Sequence, residues 1–395
     1  MNIAGSSNGR TSPFEGEYLG SNPGPAAMFS GFLYRGIAKK ILFLFPADTI
    51  HELFLKIGKQ LGRFSFVKDF LAKIWVYSNH ILEQNLVGLT FKNPVGLSAG
   101  FDYNADLVEI LPSIGFGFNT AGTLTYEAYK GNSPPMLSRL PKSKSLLVNK
   151  GFKNKGVTKI LNNIKPNSNT LGISIGATNK PYSTFEEMVE NLIEGFRDAE
   201  NFNNFFYYEL NISCPNLQNI QNLNNKLDSP SGLKQALDKL ETLNIKRPVF
   251  IKMPLERTEE DIKELIDVAR PFSFIKGLIF SNLVKDRTNP AFNIEEVKKA
   301  GKGGFSGKPV EEKSNQLLRF AYKLCHDRFL LIGVGGIFTA EDAYKKILAG
   351  ASVVQLITGM IFMGPQQIGL INKGLVTLLK KDGYKNIREA VGAQT

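Results

Sequence analysis

Only two cysteines, Cys214 and Cys325, and three histidines, His51, His80 and His326, occur in 395 residues. That scarcity leaves no disulfide framework and no His/Cys zinc site, and the chain reads as made in a reducing compartment, with no metal. Long apolar runs are also missing. The longest, Ile41–Pro46, falls far short of the ~20 residues a helix needs to cross a bilayer. No zinc finger or recognition helix is visible and the basic residues are spread over the whole chain, so nucleic acid is not an expected partner. What is present is apolar material: 43% hydrophobic residues against 21% charged gives enough core to exclude disorder for most of the chain. Lys and Arg outnumber Asp and Glu by 48 to 36, a net charge of +12. Such an excess suits an anionic ligand or an anionic membrane surface.

The first 27 residues differ from the rest. They are rich in Gly, Ser, Asn and Pro and have no apolar period, the composition of a disordered tail. SSNGRT is what the D-arm consensus of a transfer-RNA gene encodes in one frame, and GSNP is what its T-arm consensus encodes, at about the spacing of those arms. Residues 1–27 are therefore expected to be a non-native leader read through from a neighbouring gene, with Met28 as the start; the alternative is an ordinary low-complexity leader. No apolar segment behind a basic one marks a secretory signal.

Residues 28–81 are helical in pattern and rich in aromatics. Leu33, Ile37, Ile41 and Leu44 share one helical face. A second helix is expected from about Asp48 to Gly62, capped by Asp48 or Thr49, and a third over 67–81. From Met28 to Lys92 there are nine Lys or Arg against four Asp or Glu. Basic, aromatic amphipathic helices suit a membrane interface; a helical cap packed on the next domain is the competing explanation.

From Asn93 onward the chain alternates short apolar segments with helical ones. Eight strands are expected: Val95–Ser98, Phe116–Ala121, Leu171–Ile175, Phe205–Ile212, Val249–Met253, Gly277–Ser281, Phe329–Gly333 and Val353–Thr358. Helical patterns fall between most of them, including Thr184–Ala199, Thr258–Ala269, Val310–Leu324, Thr339–Leu348 and Pro365–Lys381. Eight parallel strands alternating with helices predict an α/β fold of the closed TIM (β/α)8 barrel type over residues 82–395. Pro166–Thr170 and Gln218–Leu227 read as loops, and Cys325 as core.

In such a barrel, chemistry sits where the strands end. The residues there are polar or glycine: Ala99-Gly100-Phe101-Asp102-Tyr103 after the first strand, Asn211-Ile212-Ser213-Cys214-Pro215-Asn216 after the fourth, Lys252 after the fifth, Ser281-Asn282 after the sixth, Gly335-Gly336 after the seventh and Thr358-Gly359 after the eighth. Loops after strands seven and eight commonly hold phosphate through backbone N–H groups. A purely structural turn is the alternative for the glycines.

The stretches NPVGLSAGFD (93–102), SIGFGFNTAGTLT (113–125), SRLP (138–141), NISCPN (211–216), GGFSGKP (303–309), IGVGGI (332–337) and AGASVVQLITGMIFMGP (349–365) resemble dihydroorotate dehydrogenase, specifically its membrane-associated, quinone-using class. The resemblance runs from about Met28 to Gly392. It implies an FMN-binding barrel with an N-terminal helical cap that forms a quinone tunnel, and oxidation of dihydroorotate to orotate in pyrimidine synthesis. It makes residues 28–81 the membrane contact of a peripheral protein, on the cytoplasmic face of a bacterial-type cell membrane or on an organellar inner membrane in a eukaryote. By the same resemblance, Cys214 stands at the base that removes the C5 proton; a thiol suits the role, since nearby cations bring its pKa of ~8.5 within reach of neutrality. Asn149, Asn211, Asn216, Asn282 and the Tyr103 position bind the substrate, the asparagines because an amide pairs with both donors and acceptors of the ring. Ser98, Ala99, Gly100, Gly122, Thr123, Ser174, Asn211, Lys252, Ser281 and Gly307 surround the flavin, Lys252 at its pyrimidine edge. Gly335, Gly336, Thr358 and Gly359 cradle its phosphate. His51 and Arg139 form a polar pair at the quinone end, with a surface histidine as the alternative for His51.

Four departures from the family pattern concern the substrate half. The quinone-using class has Ser where Cys214 stands. The lysine that follows GFD is Tyr103, and Lys150, Lys153 or Lys155 is a candidate replacement. Asn149 lies two residues before Gly151 instead of three, so either it keeps its role through a deletion or Val148 has replaced it. Ser174 and Leu283 stand for an Asn and a Thr. Three readings follow: a quinone-dependent dihydroorotate dehydrogenase, a flavoenzyme of this fold with a different cyclic-amide or anionic substrate, or a flavin-binding protein without this catalysis.

Overall fold

The computed structural model describes residues 25–165, 171–213, 217, 223 and 225–395. Cys214 and Asn216 lie outside the described residues, as do residues 1–24 and most of the two loops expected at 166–170 and 218–227. Every expected barrel strand forms: β1 Val95–Leu97, β2 Phe118–Leu124, β3 Leu171–Ile175, β4 Tyr207–Asn211, β5 Val249–Lys252, β6 Ile275–Phe280, β7 Leu330–Val334 and β8 Val353–Leu356. They pair in parallel around a closed ring in which Val354 of β8 meets Val95 of β1. Both faces of each strand are covered, which explains why these segments are continuously apolar rather than alternating.

Helices Phe185–Glu200, Pro230–Glu241, Glu259–Ala269, Glu311–Cys325, Ala340–Leu348 and Gln367–Lys381 pack outside the ring. Several begin where the sequence supplies a cap. Thr258 with Asp261, and Thr339 with Asp342, form reciprocal capping boxes that satisfy backbone N–H groups left over at a helix start. Cys325 is fully buried at the end of its helix, and burial pushes its thiol up to about 12; it belongs to the core.

The N-terminal end of the barrel is plugged. A hairpin of Gln84–Leu86 and Leu89–Phe91 turns at Val87-Gly88, both with positive φ. Its Leu86, Leu89 and Phe91 pack into a cluster with Phe118, Tyr207, Phe250, Ile332 and Val353. Above this cluster the Glu209 carboxylate, fully buried, accepts from Thr120 Oγ1 at 2.5 Å and from Gln355 Nε2 at 2.6 Å. Buried carboxylates need such donors.

The cap consists of helical segments Pro25–Leu33, Tyr34–Ala38, Lys39–Leu42, Ala47–Leu61 and Ser65–Trp75. Among the described residues its first helix covers Pro25–Leu33, with Ala27 fully buried. The helix expected over 67–81 is shorter: Val76 is extended, and Asn79 then caps a separate short turn, His80–Leu82. Asp48 does not cap its helix, which follows Pro46. Its Oδ2 instead accepts from the backbone N–H groups of Met136 and Leu137, at 2.9 and 3.1 Å. That ties the cap to a small antiparallel sheet of Leu137–Leu140, Ser145–Val148 and Gly304–Phe305 at the barrel rim. On the cap, Met28, Phe29, Phe32, Ile37, Ile41, Leu44, Phe66 and Phe70 are exposed. Among the described residues no helix is long and apolar enough to cross a membrane.

Candidate active site

The C-terminal ends of the strands surround one cavity of about 430 Å³ that continues beneath the cap. Loops from neighbouring strands are stitched together at its floor. Gly100 N–H donates to Gly122 O at 2.7 Å, and Gly122 N–H donates to Asp102 O at 2.9 Å. The Asp102 carboxylate, fully buried, accepts from the N–H groups of Asp106 and Leu107 and so fixes the loop carrying Tyr103.

The polar part of the cavity gathers residues from distant parts of the sequence. Ser98, Ala99, Gly100, Gly122, Thr123, Asn211, Lys252, Ser281 and Asn282 all line it. Asn211 Nδ2 donates to Thr123 Oγ1 at 3.0 Å, and Lys252 Nζ donates to Ser98 Oγ at 3.3 Å. Asn282 Nδ2 is held by Ser213 through its backbone and side-chain oxygens, both at 3.1 Å. Ser281 Oγ is buried with no hydrogen-bond partner. Ser174 stands behind this wall rather than in it, reaching the cavity only through Thr123, whose Oγ1 lies 2.9 Å from its own Oγ. Asn149 is likewise behind the wall, its Oδ1 accepting from Asn132, whereas its neighbours Val148, Lys150 and Gly151 face the cavity.

Gly307, Gly335, Gly336, Thr358 and Gly359 form the adjoining wall. Gly335 and Gly336 take positive φ, which side chains disfavour. A Cβ on Gly307 would sit 2.2 Å from Lys144 O, and one on Gly359 would sit 1.9 Å from Ile337 O. This wall is therefore bare backbone of necessity. Ser306, which the sequence placed only inside a motif, shares a 2.8 Å hydrogen bond with Thr358 and lines the same wall. A bare backbone cradle, a buried cation and an unpartnered buried hydroxyl suit a planar polar ring carrying a phosphate, which is the chemistry of FMN.

The other arm is apolar and lies under the cap, between Ile50, Phe54, Ile57, Leu61, Leu71 and Trp75. His51 is buried there, which excludes a surface role. Its Nε2 lies 2.8 Å from Phe101 O. A carbonyl only accepts, so Nε2 carries the hydrogen and Nδ1 accepts from Lys150 Nζ at 3.0 Å. Burial and the Lys150 charge push the imidazole pKa down to about 3, so His51 is neutral. Arg139 also faces the cavity, but its guanidinium is tied to Phe45 O at 2.8 Å and covers the Phe43 ring. His51 and Arg139 thus share an arm while holding different partners.

Tyr103 does not offer its hydroxyl to the cavity. That group donates to the Glu52 carboxylate, and burial followed by this bond raises its pKa far above normal. The ring is flanked by Lys150 Nζ at 4.6 Å and Lys153 Nζ at 5.4 Å. Both lysines line the cavity; Lys155 faces a separate surface cleft.

Residues 81–379 match the family model for dihydroorotate dehydrogenase. Among curated proteins, a dihydroorotate dehydrogenase (quinone) of Sulfurovum sp. is 37% identical over 90% of this chain and 97% of its own length. Another, of Trichormus variabilis, is 35% identical over 92% of this chain and 99% of its own. A third, of Nocardia farcinica, is 32% identical over 90% and 95%. Among solved structures, the DHODH of Eimeria tenella in complex with ferulenol superposes with a TM-score of 0.76 at 25% identity, covering 88% of this chain and 95% of that one. A family model over residues 81–379, a superposable barrel and relatives spanning nearly the full length lead to one placement: the chain belongs to the dihydroorotate dehydrogenase family.

Proposed function

We propose that this chain oxidises dihydroorotate to orotate with FMN as cofactor and a membrane quinone as electron acceptor. The observation that carries this reading is the continuity of one cavity from the polar strand ends to the apolar arm under the cap. Two unlike substrates then reach one redox centre from different sides. Bound against the bare backbone wall, FMN would supply a hydride acceptor for dihydroorotate and a donor for quinone.

The residues divide the remaining work. Gly307, Gly335, Gly336, Thr358 and Gly359 leave room for the phosphate. Lys252, with Ser98 beside it, holds positive charge at the flavin's pyrimidine edge. Asn211 and Asn282, joined by Asn216, pair with the amide edges of the substrate. Cys214 follows β4 in the sequence and removes the C5 proton as a thiolate. His51 and Arg139 lie at the quinone arm. Exposed apolar residues on 28–45 and 64–70 suit a peripheral membrane face, on the cytoplasmic side of a bacterial-type membrane or on an organellar inner membrane in a eukaryote.

The test is anaerobic. Dihydroorotate should bleach the flavin of the purified protein, and added quinone should restore its colour. Cys214→Ala should abolish the bleaching and leave the flavin bound. A flavin that stays oxidised with dihydroorotate rejects this substrate in favour of another cyclic amide, a reading to which Tyr103, in the place of the family's lysine, draws attention.

A further inference from the structure

Lys150 is deeply buried and lines the cavity where the polar part meets the apolar arm. An ammonium has three N–H donors. One goes to His51 Nδ1. Among the described residues no carboxylate lies within ion-pairing distance of it. Asp48 Oδ2 accepts from the backbone of Met136 and Leu137 while its Oδ1 is buried without a hydrogen-bond partner, and Glu52 is engaged by Tyr103 and Lys153. The Tyr103 ring lies 4.6 Å from the ammonium and attracts its charge without giving it a conventional hydrogen-bond acceptor. Donor capacity is thus left over in a place shielded from water, where unmet polar groups are costly.

Of the other polar groups of the arm, Tyr34 donates its hydroxyl to Ile361 O and both His51 nitrogens are used, whereas Arg139 keeps N–H donors beyond the one on Phe45 O and is a second cation facing the cavity. Lys150 lines the same cavity as Phe54, Ile57, Leu61 and Trp75, so a ligand apolar along its length and seated among them can present a polar end to it. We propose that Lys150 is a catalytic residue of quinone reduction: its ammonium donates a hydrogen bond to the inner carbonyl oxygen of the quinone and then a proton. The inference rests on the quinone reading above. Reduced FMN would supply the two electrons and one hydrogen, and Lys150 supplies the further proton that completes the quinol; the lysine amine recovers its proton from water. His51 is a positioning residue. Its Nε2–H is anchored on Phe101 O, which aims the Nδ1 lone pair at the ammonium.

The groups facing Lys150 are Asp48, His51 and Glu52 from the cap helix, and Tyr103 and Lys153 from the barrel loops. Burial holds the Lys150 pKa down, to about 8, so the ammonium is charged at neutral pH and is lost on mild alkalinisation.

The experiment uses the flavin-loaded enzyme and separates the two half-reactions by stopped flow. The quinone probe is a short-chain benzoquinone, and its binding is read by quenching of Trp75, the sole tryptophan, which lines the arm. Lys150→Met should slow flavin reoxidation by quinone about a hundredfold or more and raise the quenching midpoint about tenfold. It should also remove the fall in reoxidation rate above pH 8. Flavin reduction by dihydroorotate should change little. Lys150→Arg, which keeps the charge, should retain the quenching midpoint, and it serves as the readable variant if Lys150→Met does not fold. Unchanged reoxidation in both variants overturns the proposal. So does a loss confined to flavin reduction, which would put Lys150 at the substrate carboxylate. Reducing the flavin with dithionite keeps the quinone step measurable even where dihydroorotate fails, so failure of the substrate reading and failure of this one are distinct.

Discussion

The Tyr103 hydroxyl donates a hydrogen bond to the Glu52 carboxylate, joining the first barrel loop to the cap helix Ala47–Leu61. Lys153 donates to the same carboxylate oxygen at 2.7 Å. Burial works against the Glu52 charge, but these two hydrogen bonds prevail and hold its pKa below the usual range. The region around this phenol keeps its positive charge, because Lys150 and Lys153 flank the ring.

Tyr103→Phe removes one bond to a carboxylate that keeps its lysine partner and some contact with water. The expected cost is about 1 kcal/mol, read as a lower urea midpoint at unchanged slope. Flavin content should stay the same. A midpoint equal to that of the unaltered protein means the tie contributes nothing to holding the cap.

Gly359→Ala places a methyl group 1.9 Å from Ile337 O. Backbone cannot yield as a flexible side chain does, so the wall must shift, at a cost of roughly 1–3 kcal/mol. The flavin-to-protein ratio after purification should fall by more than half. Full flavin loading would show that this wall does not hold the phosphate.

Phe29 and Phe32 are largely exposed and do not line the cavity. Burying a phenyl side chain contributes about 1.5–3 kcal/mol, so Phe29→Ser with Phe32→Ser should weaken co-sedimentation with anionic vesicles by more than tenfold. Turnover with a soluble dye should be unaffected. Undiminished vesicle binding would place the membrane face elsewhere.

The His51 pKa is pushed from its ordinary 6.5 down to about 3, so the unfolded chain takes up a proton that the folded one refuses. The stabilising contribution is complete above pH 6.5 and is lost as the pH falls from there toward 3. It is on the order of a few kcal/mol. In His51→Gln that part of the acid sensitivity should vanish, so the two stability curves should converge on acidification. Parallel curves over the whole range would mean that His51 titrates normally.

The barrel was legible because each strand is a short apolar run between breakers, and the capping boxes at Thr258 and Thr339 mark helix starts locally. Most of the strand-end residues could be read for the same reason, since position in the ladder puts them on one rim. Contacts between distant segments could not be read. Asp48 looks like a helix cap, yet it serves Met136 and Leu137, and nothing local to either segment signals the pairing. The rim sheet was not legible because its strands Leu137–Leu140, Ser145–Val148 and Gly304–Phe305 are short and the last comes from a distant part of the chain. Ser174 and Asn149 matched site positions by motif, but only three-dimensional packing reveals that Thr123 and Asn132 stand against them. The Lys150–His51 bond likewise spans 99 positions in the chain.

The hairpin at the barrel base has a practical use. Its apolar residues point into the barrel, while its turn at Val87-Gly88 is directed outward, with Val87 exposed and open space around Gly88. A tether or label attached there would sit at the end opposite the cap and the cavity mouth. The protein could be fixed to a sensor surface or an electrode by this turn, leaving the cap and its exposed aromatic residues turned toward the solution.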